Sequence, residues 1–250
     1  VFDRWLADLE TRHLAALTFP ELRRALQSLS ADYVVRRERL GAGSALAGRG
    51  KRAAFALFYG PLHFLLVREI VRALGCASPA PREIVDLGCG TGVAGAAWAI
   101  EAGGARVRGV DRNAWALEEA RHTWRALGVA GRASRRDAAI VPLPESGGAA
   151  IAAFALNEMD PPARERLLAR LLDAAARGVG ALVVEPIAKG PVPWWAEAEG
   201  RFLAAGGRAD AWRFPVGLPD LQARLSKAAG LDHRVLTARS LFLPLVSSAA

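Results

Sequence analysis

Apolar positions along residues 1–74 recur at the spacing of amphipathic helices. Leu6, Leu9, Leu14 and Leu17 share one face, and Pro20 stands where a second helix, over Glu21–Leu29, would begin. Gly41, Gly43, Ser44, Gly48 and Gly50 mark a loop, after which Arg52–Leu74 reads as a helix broken or kinked at Gly60-Pro61. Ala77–Pro81 is a short linker. Beyond it the pattern changes to apolar runs of strand length, Ile84–Leu87, Val107–Val110, Ala150–Leu156 and Ala181–Val184, with a further strand placed around Arg132–Arg136. Helical segments separate most of them, and Asp160-Pro161-Pro162 opens one with a capping carboxylate and a proline in the first turn. Only Ala138–Gly148, holding Pro142 and Pro144, joins the third run to the fourth, so that crossover lacks a full helix. Two helical stretches follow Val184, and Arg234–Thr237 and Leu241–Val246 are the last strand candidates. Such alternation predicts an α/β fold with a seven-stranded, mainly parallel sheet flanked by helices. An N-terminal helical segment, residues 1–76, would cover the ends of the strands of a domain formed by 77–250.

A length of 250 residues is ample for one such core. The most apolar stretch, Phe55–Val67, is interrupted by Gly60, Pro61 and His63, which predicts that it is too short and too broken to span a bilayer. Asp3, Asp8, Glu10 and Arg12 interrupt any leader-like pattern at Val1–Pro20, so a cytoplasmic protein with no membrane partner is expected. Cys76 and Cys89 are the only cysteines, without the paired spacing of a metal site, and no metal is expected. The net charge of +8 suits a polyanion such as RNA. Nearly all of it is arginine, however, which an Ala/Arg/Gly-rich composition also explains.

Candidate chemistry concentrates at the first strand end. Ile84–Leu87 runs into Gly88-Cys89-Gly90-Thr91-Gly92 and then a helix near Val93. Glycines there let the backbone approach a ligand lying across the strand ends, with helix amides facing an anionic group. Gly90, Gly92 and Gly95 also satisfy the dinucleotide fingerprint, but that motif begins at the strand end, where this chain has Gly88, with Asp86 aiming a carboxylate into the turn.

The run Asp86-Leu87-Gly88-Cys89-Gly90-Thr91-Gly92 resembles the first motif of the class I S-adenosylmethionine-dependent methyltransferases. The resemblance implies a Rossmann-like methyltransferase sheet, S-adenosylmethionine as cofactor and S-adenosylhomocysteine as product. It implies that Asp111, about 20 residues past the glycines, holds the ribose hydroxyls with Arg112 beside it. It also places Asp137 near the adenine amino group and the methionine end near Gly88, Cys89, Gly90 and Gly92. Asn157 and Glu158, after the fourth strand, become candidate walls for the methionine moiety or the acceptor. Asp160-Pro161-Pro162-Ala163 is similar to an amino-methyltransferase motif but lacks its aromatic residue. A narrower likeness covers Phe55–His63, Ala155–Met159 and Val184-Glu185-Pro186. These segments look like the ribosomal small-subunit methyltransferase-like family of mitochondrial ribosome assembly and its bacterial relatives. Residues 190–214 lack the cysteines that imply an iron–sulfur cluster in that family, and Tyr59 stands at the position of a family Arg.

The expected reaction is methyl transfer to an O, N or C nucleophile of a small molecule or an RNA. Proximity and alignment supply most of what such a transfer needs. Glu158 or His63 is the candidate base. Tyr59, Trp194 and Trp195 are candidate acceptor-binding residues, since aromatic faces stack planar groups. Packing in the core is the competing account for each of them. A non-catalytic RNA or ribosome-assembly module with the same fold is the alternative function.

Overall fold

The computed structural model describes residues 1–15, 17–35, 46–187, 192–231 and 233–246. The loop expected at Gly41–Ser44 lies outside them. Seven strands form one sheet: β1 (Glu83–Leu87), β2 (Arg106–Asp111), β3 (Gly131–Arg135), β4 (Ala149–Ala153), β5 (Gly180–Glu185), β6 (Arg208–Pro215) and β7 (Val235–Leu243). Their order is β3-β2-β1-β4-β5-β7-β6, parallel as far as β5, with β7 antiparallel to both of its neighbours. The order reverses between β1 and β4, and at such a switch point the connections leave in opposite directions and open a crevice at the strand ends.

Successive strand residues serve opposite faces, as the two-residue side-chain period requires. Ile84, Val107, Ile151 and Leu182 pack with the N-terminal helices and those after β1 and β2, whereas Val85, Val110, Ala150 and Val183 pack on the other face. The helices are α1 (Phe2–Leu14), α2 (Phe19–Val35), α3 (Arg49–Ala54), α4 (Gly60–Leu74), α5 (Val93–Glu101), α6 (Ala114–Leu127), α7 (Pro161–Ala175), α8 (Pro193–Ala204) and α9 (Asp220–Ala228). Asp160 caps α7 as the sequence predicts, its Oδ1 accepting from the Ala163 amide at 2.8 Å. The crossover from β3 to β4 has no helix. Arg170 of α7 holds it instead, donating to the carbonyls of Ala139 at 2.8 Å and Val141 at 2.5 Å.

The N-terminal cover shares the core of the sheet. Trp5, Leu9, Leu22, Leu26 and Leu29 are fully buried and belong to the same cluster as Trp98 of α5 and Trp124 of α6. Glu119 of α6, itself buried, receives Arg12 and His13 of α1, and the His13 Nε2 contact measures 3.1 Å.

Three expectations are corrected. The helix over 49–74 is continuous: Gly60-Pro61 begins a turn where a proline fits, and the irregularity is a π-helical turn, Phe55–Tyr59, just before it. This 26-residue helix is long and apolar enough to cross a membrane, yet 72% of its apolar window is buried inside the protein, so it is a core helix. The two last strand candidates, Arg234–Thr237 and Leu241–Val246, overlap one strand, β7 (Val235–Leu243), and the missing strand is β6. Its alternating burial, with Trp212 and Phe214 stacked on one face, is the period-2 signature that the aromatic-rich segment conceals.

Candidate functional site

The crevice at the switch point is a cleft of about 500 Å³, within the range of small-molecule sites. Its floor is the turn after β1. Gly88 and Gly90 adopt positive φ angles of +73° and +51°, and the amides of Gly88 and Cys89 both donate to the Val110 carbonyl at 2.9 Å, which binds the turn to β2. A Cβ at Gly88 would lie 2.8 Å from Ala155, so the ends of β1 and β4 meet only with glycine there. At Gly90 a Cβ would meet no protein atom within 4 Å and would project into open space.

Asp111, at the end of β2, lines the cleft. One carboxylate oxygen accepts from the Gly90 amide at 2.9 Å and the other from the Asn113 amide at 2.8 Å. Each carboxylate oxygen has a second lone pair, so the group can accept two further hydrogen bonds from a diol. Asp137 follows β3 and also lines the cleft, with Oδ1 on the Ala139 amide at 2.9 Å and Oδ2 on Arg112 at 2.5 Å. Partial burial opposes its ionisation, but the Ala139 amide and the Arg112 guanidinium outweigh it and hold the carboxyl below its ordinary range. Arg112, Arg135 and Arg136 complete this end.

At the other end, β4 stops at Ala153, and Phe154 takes a left-handed φ of +59° before a 3₁₀ turn, Leu156–Glu158. Glu185, at the end of β5, is wholly buried and fixes that turn: it accepts from the Leu156 amide at 2.8 Å, the Asn157 amide at 3.3 Å and the Asn157 side chain. Phe55, Tyr59 and His63 of the long helix form the roof. The Tyr59 hydroxyl hydrogen-bonds Ser30, and burial raises its pKa. Burial, and secondarily His233, pulls the His63 imidazole down to about 3.

The cleft thus brings together Gly88, Cys89, Gly90, Asp111, Arg112, Asp137, Asn157, Glu158, Tyr59 and His63 of the residues expected from sequence. Asp86, Gly92, Trp194 and Trp195 do not line it. Asp86 turns into the protein, where Oδ2 accepts from the Gly95 amide at 2.8 Å and ties the first turn of α5 to β1. Burial lifts its carboxyl to about 7; the Gly95 amide opposes the rise and Asp111 adds to it. Gly92 faces α6: its carbonyl accepts from Trp124 Nε1 at 2.8 Å, and a Cβ there would lie 2.7 Å from that nitrogen. Trp195 is buried under the Arg239 guanidinium, 4.0 Å from the ring centre, and Trp194 packs beside Arg164 at 4.8 Å. Both belong to α8 and the face of the sheet that packs on α7. His63 at a pKa near 3 is neutral but is too weak a base to match a working pH near neutrality.

Thr91 of the glycine motif, Phe154 and Glu185 also line the cleft, and the last two were given no site role from sequence. Thr91 sits inside the glycine motif, and its hydroxyl is buried without a hydrogen-bond partner. Such a group needs a ligand atom or water to be satisfied. Glu185 had a signal in the sequence, a carboxylate closing a wholly apolar strand. Phe154 had none, because aromatic residues rarely adopt positive φ. No group of three or more His, Cys, Asp or Glu suited to a metal occurs among the described residues.

The partnerless Thr91 hydroxyl, the space above Gly90 and the paired acceptors on Asp111 fit an adenosyl amino acid. Residues 84–178 match a family model described as a methyltransferase domain. Over 72 residues the chain is 40% identical to ribosomal RNA small subunit methyltransferase C of Chromohalobacter salexigens. That match covers 29% of this chain and 20% of the relative's length. A putative O-methyltransferase from Nostoc punctiforme is structurally similar, with a TM-score of 0.54 and 18% identity over 89% of this chain and 69% of that one. Mitomycin 7-O-methyltransferase is also similar, with a TM-score of 0.53 and 16% identity over 96% and 72%.

Proposed function

We propose that the chain, whose residues 84–178 match a methyltransferase-domain model, binds S-adenosylmethionine in the switch-point cleft and transfers its methyl group to an acceptor. When bound, the cofactor supplies a methyl group already made electrophilic by the attached sulfonium. The protein's own residues hold, orient and exclude water. Asp111 accepts the ribose hydroxyls, Asp137 and Arg112 flank the base, and the Gly88–Gly90 backbone with the Thr91 hydroxyl receives the amino-acid end. Asn157, braced by Glu185, and Glu158 border the acceptor side. Residues 1–76 cover the domain formed by 77–250. The observation that carries this reading is the Asp111 carboxylate, aimed into the cleft and pinned by the amide of the glycine turn it faces.

The test is calorimetry and thermal melting of the whole chain with S-adenosylhomocysteine. One-to-one binding and a raised Tm are expected, because a ligand specific to the native state stabilises it by mass action. Charge-assisted hydrogen bonds contribute roughly 1.5–3 kcal/mol each. Asp111→Ala is therefore expected to weaken binding by about tenfold or more. Absence of both heat and thermal shift at millimolar ligand overturns the reading.

An RNA acceptor, or RNA binding without turnover in ribosome assembly, is the second reading. It is favoured by the match to an rRNA methyltransferase and by Arg112, Arg135 and Arg136 at the cleft. Salt-sensitive RNA binding distinguishes it from a small-molecule acceptor.

A further inference from the structure

The roof and the end of β4 meet in a wall of four rings. His63 and Phe154 stack with their ring centres 3.9 Å apart and their planes 19° from parallel. Tyr59 lies 5.8 Å from His63, and Phe55 lies 6.0 Å from Tyr59 and 6.3 Å from His63. Two uncommon backbone conformations build this wall: the π-helical turn that carries Phe55 and Tyr59, and the left-handed φ of Phe154. Both kinds of irregularity gather at ligand sites.

The charge of the lining is polarised as well. Its three guanidinium groups, Arg112, Arg135 and Arg136, follow β2 and β3 together with the carboxylates Asp111 and Asp137, while the lining residues after β4 and β5 are the carboxylates Glu158, Asp160 and Glu185, and the roof adds the imidazole of His63. The imidazole is kept neutral by burial. One end of the cleft therefore carries guanidinium groups alongside Asp111 and Asp137, and the other carries the rings with carboxylates and no guanidinium among its lining residues. Ring faces carry the negative part of the aromatic quadrupole and attract cations.

We propose that Phe55, Tyr59, His63 and Phe154 form a cation-recognition wall that favours the sulfonium form of the cofactor over its uncharged thioether product. The inference rests on the cofactor reading above. The sulfur is one methylene from the ribose, so a ribose held by Asp111 would leave it in the cleft that these four rings also line. The charge is lost when the methyl group leaves, and the wall then no longer favours what remains, which weakens retention of the product.

The test is calorimetry on the full chain with three probes: S-adenosylmethionine; sinefungin, which carries an ammonium-bearing carbon in place of the sulfonium; and S-adenosylhomocysteine. Cation–ring contacts of this kind correspond to a preference of about three- to thirtyfold. Phe154→Leu and Tyr59→Leu are expected to lower the affinity for both cations by about threefold or more while that for the thioether changes little. Should Phe154→Leu fail to fold, Phe55→Leu, at a half-buried roof position, reads the same ratio. An unchanged ratio of cation to thioether affinity in the folded variants, or equal losses for all three probes, overturns the proposal and leaves the rings a packing role. Failure of the wild-type chain to bind any of the three overturns the cofactor reading instead.

Discussion

Gly90 and Gly92 stand two residues apart in one turn and answer to different neighbours. At Gly90 the space beyond Cα belongs to the cleft, whereas at Gly92 it belongs to Trp124 and Ala120 of α6, whose atoms would lie 2.7–2.9 Å from a Cβ. Gly90→Val is therefore expected to abolish S-adenosylhomocysteine binding in a chain whose circular dichroism is native. Gly92→Ala is expected to lower Tm by forcing α6 off the turn, and wild-type melting of that variant would refute the packing account. Asp86 separates in the same way from the role its place in the motif suggests. Its pKa rises on folding from 3.8 to about 7, so the unfolded chain ionises it more readily. The resulting stability is present below the unfolded value and is lost as pH rises through about 7. Asp86→Asn keeps an acceptor for the Gly95 amide and removes that loss. Melts at about pH 5 and about pH 8 are expected to show the variant gaining on the wild type at the higher pH. The motif was legible in the sequence because glycine spacing reports backbone conformation. Which of its side chains face the ligand was not, because that depends on what α5 and α6 press against the turn.

At the scale of elements, α1 is held to α6 by a buried carboxylate that sequence periodicity gave no reason to single out. Glu119 is 107 residues from Arg12, and the pairing exists only once both helices pack. Burial opposes ionisation of Glu119, but His13 and Arg12 outweigh it and hold the pKa below the ordinary value. Its contribution to stability is thus present above the ordinary glutamate range and lost as pH falls through the folded value. Glu119→Ala leaves Arg12 without this partner, yet Arg12 keeps 25% side-chain exposure and can turn to water. The expected cost is at the low end of the about 3–5 kcal/mol typical of broken buried pairs. Urea unfolding measures it, and a midpoint unchanged from wild type would show that α1 docks through Trp5 and Leu9 alone. The central parallel strands β1, β4 and β5 were legible because their apolar runs are nearly unbroken. β6 was not, because half of its residues face solvent and its aromatic residues also suit a binding segment. The π turn before Gly60 was misread as a proline break for a similar reason: Pro61 fits the first turn of α4, and no residue type marks an i→i+5 bond.

For the whole molecule, the sheet order explains which of the residues expected from sequence share the cleft and which do not. Ligands of open α/β sheets bind where the strand order reverses, and the glycine turn of β1 stands at that point with Asp111, Asn157 and Glu185 on neighbouring strand ends. Trp194 and Trp195 open α8 and pack into the cluster shared with α7 on one face of the sheet, not into the cleft. The same order leaves β3 and β6 at the two borders of the sheet, each with one side of its ladder unpaired. Unpaired ladders are templates for aggregation, and short length, charge and proline blunt them. β3 has five residues, nearly all exposed, among them Arg132 and Arg135, and β6 holds Arg208, Asp210 and Arg213 before ending at Pro215. Two copies adding strand to strand across β3 would bring these arginines against their equivalents. Part of the excess positive charge therefore acts as a guard against fibrous growth, whatever the acceptor proves to be.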